Sequence, residues 1–137
     1  MRTAVDSNVF SALWSGEPTG PQLLESLSMA SERGSLVISP PVFSEIHAHP
    51  RGTPAFIREF LEHTGVSVDF QLSENVWRET GIRFARYVAR RRKSGGAEPP
   101  GLLSDFIIGA HALIQADCFL TLDRNIFLRD FPELRLV

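Results

Sequence analysis

The sequence predicts an α/β fold of three layers, with a central parallel sheet of four to five strands between two layers of helices. Short apolar runs alternate with longer stretches in which apolar residues recur every three to four positions, and this alternation is typical of parallel sheets with helical crossovers. The 137 residues, 43% of them apolar, are expected to form a single domain over 1–137, because domains usually contain roughly 100–200 residues.

Five runs have the length and composition of strands, since each is apolar, short and bounded by turn-forming or polar residues. The cysteine in the fourth run is the only one in the chain, which excludes an intramolecular disulfide and favours a buried packing role. The predicted strands are Thr3–Val5, Ser35–Ile38, Gly65–Val68, Cys118–Thr121 and Leu134–Val137.

Helical periodicity fills the intervals between these strands. Prolines that are tolerated in a first turn open two of the helices, and Thr53, Ser73 and Ser104 are placed to begin others. A Gly- and Pro-rich loop is predicted over Ser94–Gly101. The predicted helices are Asn8–Trp14, Pro21–Glu32, a helix from Pro40 that stops by Pro50, Pro54–His63, Ser73 to about Lys93, Asp105–Gln115 and Asn125–Leu128.

The longest predicted helix carries both an apolar stripe and a basic end. Its stripe is predicted to face the core and consists of Trp77, Gly81, Phe84 and Val88. The basic end, Arg90, Arg91 and Arg92, has two interpretations: cations that suit the helix dipole, or a patch that binds RNA phosphates. Arg124 is a weaker candidate for a phosphate contact.

Net charge and hydropathy exclude several classes. The formal charge is −2, so no global basic character indicates nucleic-acid binding. No apolar run approaches the ~20 residues needed to span a bilayer, and the N-terminus lacks the basic and apolar regions of a signal peptide. A cytoplasmic protein without a membrane association is therefore expected.

Two acids occupy the same position on different strands. Asp6 ends the first predicted strand and Asp123 ends the fourth, and ligands of parallel sheets bind beyond the carboxyl ends of the strands. Glu45 and Asp105 lie on helices that could bring them to the same edge. Four converging carboxylates need compensation, because one like-charge pair ~4 Å apart costs about 4 kcal/mol at an effective dielectric of ~20. Mg²⁺ or Mn²⁺ would supply it and would suit hydrolysis of a phosphodiester.

Each acid also has a purely structural interpretation when taken alone. Asp105 follows Ser104 and could favour a helix N-terminus. Asp6 and Asp123 could form Asx-turns with the backbone two residues further on. Glu45 could be a solvated helix residue. The shared strand-end position is what favours a common site.

The sequence resembles PIN-domain ribonucleases, and in particular the VapC-type toxins of toxin–antitoxin pairs. The resemblance extends over nearly the whole chain and is carried by V-D-S-N at the start, an acid on the helix after the second strand, L-L-S-D-F-I-I-G-A-H-A-L, and F-L-T-L-D-R-N-I-F. No one of these motifs is specific, whereas their order and spacing together are. The resemblance implies a Mg²⁺- or Mn²⁺-dependent endoribonuclease, inhibited by a cognate antitoxin protein and usually a homodimer.

The family resemblance assigns a role to each candidate residue of the site by its position in the sequence. The resemblance implies that four acids are catalytic and bind metal, namely Asp6, Glu45, Asp105 and Asp123, and that Asn8 and Thr121 hydrogen-bond these acids and orient them. Asp123 matches the most variable of the four acids in the family. Ser7 occupies a position that is often threonine.

Two other classes of function compete with this interpretation. A haloacid-dehalogenase-type phosphatase needs a second aspartate where this chain has Asn8, and both that class and receiver domains use a late lysine, whereas the only lysine is Lys93. A non-catalytic RNA- or protein-binding PIN-like module stays open. Three histidines have no assigned role: His47 and His49 are expected at a helix end, and His111 is expected to be buried and hydrogen-bonded.

Overall fold

A computed structural model describes residues 1–98 and 101–137 as an α/β fold around a four-stranded parallel sheet. The strand order is β3-β2-β1-β4, with β1 at Arg2–Val5, β2 at Ser35–Ile38, β3 at Ser67–Val68 and β4 at Cys118–Leu120. The α-helices in the described residues are α1 Ser7–Trp14, α2 Gly20–Arg33, α3 Pro40–Glu45, α4 Pro54–Thr64, α5 Glu74–Lys93, α6 Leu103–Gln115 and α7 Arg124–Asp130, and a 3₁₀ turn, Ile46–Ala48, follows α3.

The strand order places the helices in two layers. The chain moves from β1 to β2 to β3 in one direction and then returns across the sheet to β4. Because parallel crossovers are almost always right-handed, α1 to α4 cover one face and α5 and α6 cover the other. The predicted three-layer fold is thereby confirmed. The direction of the chain reverses between β1 and β4, and open α/β sheets bind ligands at this switch point.

The strands are buried because both faces of the sheet are covered. Val5 pairs with Leu120 across β1 and β4, and the exposed fraction is 1% for Val5 and 4% for Leu120. The ladder continues one residue further, since the Asp6 N–H donates to the Leu120 carbonyl oxygen at 2.9 Å. The carboxylate that follows β1 is therefore fixed in position by the sheet itself.

The two ends of the sheet are shorter than predicted. Val66 is not part of β3, which has two residues. The predicted strand Leu134–Val137 is wrong as a strand, because only a parallel bridge between Leu136 and Phe119 forms. Because β4 itself spans three residues, it has few backbone groups with which a further strand could form hydrogen bonds. Part of the predicted loop Ser94–Gly101, residues 99 and 100, lies outside the described residues.

The face that α5 turns to the core is one position away from the predicted stripe. Trp77 is 53% exposed, so its predicted core position is wrong, and Gly81 is exposed as well. The buried residues are Val76, Thr80, Arg83 and Tyr87. Phe84 and Val88 are half-buried at the edge of the core.

Hydrogen bonds explain why polar residues occupy that face. The Thr80 hydroxyl donates to the Val76 carbonyl oxygen at 2.7 Å. The Arg83 guanidinium donates to Glu79 at 2.9 Å and to Glu133 at 2.7 Å. Buried polar groups are tolerated when their hydrogen bonds are satisfied, so hydrophobicity alone does not identify the buried face of α5.

The start of α6 also differs from the prediction. Ser104 lies within the first turn, and the residue before the helix is Leu102. The Leu102 N–H donates to Asp105 Oδ2 at 3.1 Å, so an acid inside the helix takes over the function of a cap. Among the described residues, no helix is long and apolar enough to cross a membrane.

A glycine in α6, Gly109, packs against Phe131, the residue that follows α7. A Cβ at Gly109 would lie closer to the Phe131 ring than van der Waals contact allows, and Phe131 is 1% exposed. We expect Gly109→Ala to lower the free energy of unfolding by about 1–3 kcal/mol, the usual cost of overpacking. Urea denaturation measures this change.

The matched control is Gly81→Ala in α5, where a Cβ meets no atom within 4 Å. Helix propensity predicts a gain of about 1 kcal/mol there. Equal effects of the two substitutions would contradict the close contact between α6 and Phe131.

Candidate metal centre

The most buried acid of the site is Asp6, which directly follows β1. The exposed fraction of Asp6 is 4%. Its Oδ1 accepts a hydrogen bond from the Ser7 N–H at 2.8 Å, and its Oδ2 accepts one from the Thr121 hydroxyl at 2.7 Å. One of these donors belongs to the start of α1 and the other follows β4. The carboxylate is thus held between the two strands that flank the switch point.

Glu45 reaches the same place from α3, of which it is the last residue. The Ser7 hydroxyl donates to Glu45 Oε2 at 3.0 Å. Ser7 therefore binds two acids at once, Asp6 through its backbone N–H and Glu45 through its hydroxyl. Sequence reasoning missed this bridging role, and the only signal for it was the position of Ser7 directly after the strand-end acid.

The other two acids lie across the switch point. Asp123 precedes α7, and its Oδ2 accepts a hydrogen bond from the Asn8 side-chain amide at 3.2 Å. Asp105 lies in the first turn of α6 and is half-buried. Asp105 and Asp123 line one small cavity between α6 and α7. All four predicted acids therefore face the carboxyl edge of the sheet.

Thr121 and Asn8 connect the acids to each other. Besides its bond to Asp6, the Thr121 hydroxyl oxygen accepts the Asp123 N–H at 3.0 Å and the Asn8 amide at 3.4 Å. Asn8 Oδ1 accepts the Leu122 N–H at 3.2 Å. These bonds fix the orientation of Asp6 and Asp123, as hydrogen bonds behind a metal ligand do.

Burial, and to a smaller extent the charges of neighbouring acids, raise the pKa values of Asp6, Glu45 and Asp105. Burial raises the pKa of Asp6 to about 6, the hydrogen bonds from Thr121 and Ser7 partly oppose this, and the charges of Glu45 and Asp123 add to it. The pKa of Glu45 is raised by desolvation and by the charge of Asp105. The pKa of Asp105 is raised by desolvation and by the charge of Asp123. Within residues 1–98 and 101–137, none of these three acids forms a salt bridge, so the edge favours a bound cation.

The donor set fits a hard divalent ion without forming a closed cage. In residues 1–98 and 101–137, no three aspartate, glutamate, histidine or cysteine side chains are grouped so that they could hold one metal ion. Mg²⁺ does not require such a group, because it usually keeps several waters and is bound by one or two carboxylates together with substrate phosphate. Oxygen ligands also suit Mn²⁺. Asp6 with a neighbouring acid therefore satisfies the requirements of either ion.

The histidines lie outside the cluster of acids. His111 is 1% exposed, and its Nε2 is 3.0 Å from Asp69 Oδ2, so the predicted buried, hydrogen-bonded position is confirmed. His47 Nδ1 bonds to the Phe43 carbonyl oxygen at 2.8 Å. His49 bonds to Ser15 and to the backbone of Arg51. None of the three bonds to an acid of the site.

The predicted RNA-binding arginines have different surroundings. Arg90 forms ion pairs with Asp130 and Glu98, so its charge is largely neutralised within the protein. The Arg91 guanidinium donates to the Tyr87 hydroxyl at 3.1 Å, and Arg92 is exposed. Arg124 donates to the Val137 carbonyl oxygen at 3.1 Å.

Comparisons with known proteins bear on the fold and on the family of this chain. Two solved structures are similar in fold. The first is VapBC2 from Rickettsia felis bound to a DNA fragment from their promoter; the TM-score is 0.67, the identity is 16%, and the match covers 100% of this chain and 98% of the other. The second is VapBC-1 from nontypeable Haemophilus influenzae; the TM-score is 0.67, the identity is 20%, and the match covers 100% of this chain and 97% of the other. No curated protein matches the sequence. The PIN domain family matches residues 3–132. The chain therefore belongs to the PIN domain family.

Proposed function

We propose that this protein is an endoribonuclease that hydrolyses RNA phosphodiester bonds with Mg²⁺ or Mn²⁺ and that it is the toxin of a type II toxin–antitoxin pair. The observation that carries the proposal is the gathering of Asp6, Glu45, Asp105 and Asp123 at the switch point of the sheet, with Asp6 buried and its pKa raised to about 6. PIN-family membership supports a nuclease.

In this proposal the four acids take part in catalysis and bind metal as one or two carboxylates to an ion, with water and substrate phosphate completing its ligands, and the other side chains position them. Asp6 is the principal ligand, since hydrogen bonds to both of its oxygens hold it in place. Ser7 holds Glu45, and Thr121 and Asn8 hold Asp123. A bound divalent ion would neutralise charge on the phosphate and lower the pKa of an attacking water.

The proposed partners follow from the fold neighbours. Both solved structures described above are VapBC complexes, which supports a cognate antitoxin for this chain as well. We also propose that the protein acts as a homodimer. Copurification with the product of an adjacent small gene, followed by measurement of the mass of the complex, tests both statements.

The proposal is tested by incubating structured RNA with the purified protein in Mn²⁺ or Mg²⁺, with and without chelator. We expect cleavage that chelator abolishes and that Asp105→Asn greatly reduces. The matched control is Glu25→Gln, an exposed carboxylate on α2, which should cleave as the wild type does. Equal cleavage by wild type and Asp105→Asn would indicate a contaminant or another site. Binding of RNA without cleavage under any condition would favour the non-catalytic module.

A phosphate-binding surface is proposed at the basic end of α5. Tyr87 of α5 contacts Phe106 in α6, with ring centroids 5.3 Å apart, so this end of α5 lies close to the turn that carries Asp105. Arg91 and Arg92 have no acidic partner among the described residues, and Arg124 is exposed beside Asp123. Arg90 contributes less, because of its ion pairs.

The double variant Arg91→Gln, Arg92→Gln is expected to weaken RNA binding and to flatten its salt dependence. Each lost contact to single-stranded phosphate should reduce the slope of log K against log salt by about 0.7. Fluorescence anisotropy with labelled RNA in chelator measures the slope without cleavage. Arg33→Gln, at the exposed end of α2, is the control. An unchanged slope in the double variant would exclude this surface.

A further inference from the structure

A cleft runs along α1 away from the metal centre. It has a volume of about 420 Å³, within the roughly 300–1,000 Å³ of small-molecule sites. At one end it is lined by Ser7 and Glu45, and further along it is lined by Ser11, Trp14, Ile46 and His49. We call this second part the α1 cleft. It opens directly beside three residues of the metal centre, Ser7, Asn8 and Glu45.

The chemistry of the α1 cleft differs from that of the metal centre. Beyond Glu45 its lining residues carry no carboxylate, lysine or arginine, and they combine aromatic rings with an exposed hydroxyl on Ser11. Arg51 borders the cleft, since its guanidinium donates to the Trp14 carbonyl oxygen at 3.4 Å, but it does not line it. A neutral planar group with polar edges fits the lining, because aromatic side chains supply surfaces for stacking and a hydroxyl can both donate and accept.

His49 presents a ring to the cleft that is held in place by hydrogen bonds to both of its nitrogens. The Arg51 N–H donates to His49 Nδ1 at 3.1 Å, which leaves the proton on Nε2, and Nε2 donates to the Ser15 hydroxyl oxygen at 2.8 Å. Both nitrogens are used within the protein. His49 therefore offers a fixed planar face and not a metal ligand, which accounts for the second histidine of H-A-H.

Trp14 forms the inner wall and is held rigidly. It makes edge contacts with Phe56, Phe60 and His49, with ring centroids 5.1, 5.3 and 5.6 Å apart. Its indole N–H is buried and has no hydrogen-bond partner among the described residues. A rigid aromatic wall costs little conformational entropy when a ligand binds.

We propose that the α1 cleft binds one nucleobase of the RNA, next to the phosphate that lies at the metal centre. The inference rests on the proposed function for the identity of the ligand: Ser7, Glu45, Ser11 and His49 line one cleft, so a polynucleotide whose phosphate is held near Glu45 can place a neighbouring base within reach of Ser11 and His49. The acids repel further phosphates, whereas a neutral base can enter. The cleft thereby sets which base is preferred beside the cut.

The test uses Trp14 as its own reporter. The other tryptophan, Trp77, is 53% exposed, so Trp77→Phe leaves Trp14 as the only indole. In a Trp77→Phe, Asp6→Asn protein, which should not cleave, single-base RNA hexamers are titrated against the fluorescence of Trp14. We expect saturable quenching that depends on the base, and none with an abasic hexamer of the same charge.

Two variants probe the cleft in that background. His49→Ala should weaken the preferred hexamer by roughly 5- to 100-fold, the range expected for loss of base stacking. Ser11→Phe, at an exposed position of α1, should block the cleft without disturbing the core and should also weaken binding. His63→Ala, an exposed histidine on α4, should bind as the parent does.

The outcomes separate the two proposals. Absence of base-dependent quenching, or quenching that neither His49→Ala nor Ser11→Phe changes, overturns the inference even if the wild-type protein cleaves RNA. Base-dependent quenching in a protein whose wild type cleaves no RNA would contradict the proposed nuclease activity and would still support the base-binding cleft. When both hold, His49→Ala in the active protein should reduce the base preference at the cleavage site.

Discussion

Replacement of Asp6 by asparagine is expected to abolish metal-dependent cleavage of RNA while leaving the fold at least as stable as before. Loss of a hydrogen bond behind a metal ligand already costs roughly 10- to 100-fold in activity or affinity, so loss of the principal ligand should exceed ~100-fold. The physical reason is that Asp6 is buried at the switch point with hydrogen bonds to both oxygens.

The same substitution removes an unfavourable charge. Burial raises the pKa of Asp6 from 3.8 to about 6, and at ~1.4 kcal/mol per unit this corresponds to about 3 kcal/mol against the ionised carboxylate. Asparagine keeps the shape of the side chain and its oxygen can accept the Ser7 N–H, at the cost of the hydrogen bond that Thr121 donates to Oδ2. Activity and stability are therefore expected to change in opposite directions.

Cleavage rates and thermal unfolding of the same preparation in chelator check this expectation. Glu25→Gln should change neither quantity. If Asp6→Asn cleaves at the wild-type rate, Asp6 is not a metal ligand. If it is instead several kcal/mol less stable than wild type, the carboxylate is required for folding, and lost activity would then have a structural cause.

The sequence contained enough information for the architecture and for the position of the acids. Apolar runs alternating with helical periodicity predicted the parallel sheet, and the structure has the four strands in the predicted places. Asp6 and Asp123 were found because strand ends are local features, and topology brings the ends of neighbouring parallel strands together. Glu45 and Asp105 were candidates as well, because their helices could bring them to the same edge, but their roles were assigned only from the family resemblance, since spacing alone did not fix which way those helices turn.

Features that depend on long-range pairing could not be predicted. The buried face of α5 contains Thr80 and Arg83, whose polar groups are satisfied by partners as distant as Glu133, so a search for apolar stripes selected Trp77 instead. From the sequence Arg90 was interpreted as a free cation, whereas in the fold it forms an ion pair with Asp130. The bridge from Ser7 to Glu45 spans 38 positions in the sequence, and no local pattern reports such a contact.

In the absence of metal, the contribution of Asp6 to the free energy of unfolding is expected to be lost as the pH rises from about 4 to about 7. A carboxyl whose pKa is raised on folding binds its proton more tightly in the native state, so its contribution is fully present below the unfolded pKa and disappears as the pH rises through the folded pKa. For Asp6 these pKa values are 3.8 and about 6, and Glu45 and Asp105 act in the same direction.

Other groups oppose this trend, so the comparison must isolate Asp6. The pKa of Asp69 is lowered on folding, mainly through its hydrogen bonds from Arg2 and His111, which outweigh the opposing desolvation. The pKa of His111 is lowered by desolvation. Both of these groups lose stabilising free energy as the pH falls. The difference between wild type and Asp6→Asn cancels them, because neither residue contacts Asp6 in the described structure.

That difference should favour Asp6→Asn increasingly, by about 3 kcal/mol in total, between pH 4 and pH 7 in chelator. Mg²⁺ or Mn²⁺ at ~100 times its dissociation constant should raise the free energy of unfolding of the wild type by about 2.7 kcal/mol at pH 7. It should raise that of the variant much less. Urea denaturation across the pH range, with chelator or with metal, measures all four curves. Parallel pH profiles for the two proteins would show that Asp6 does not carry the buried charge. Equal stabilisation of both proteins by the ion would show that Asp6 does not bind the metal.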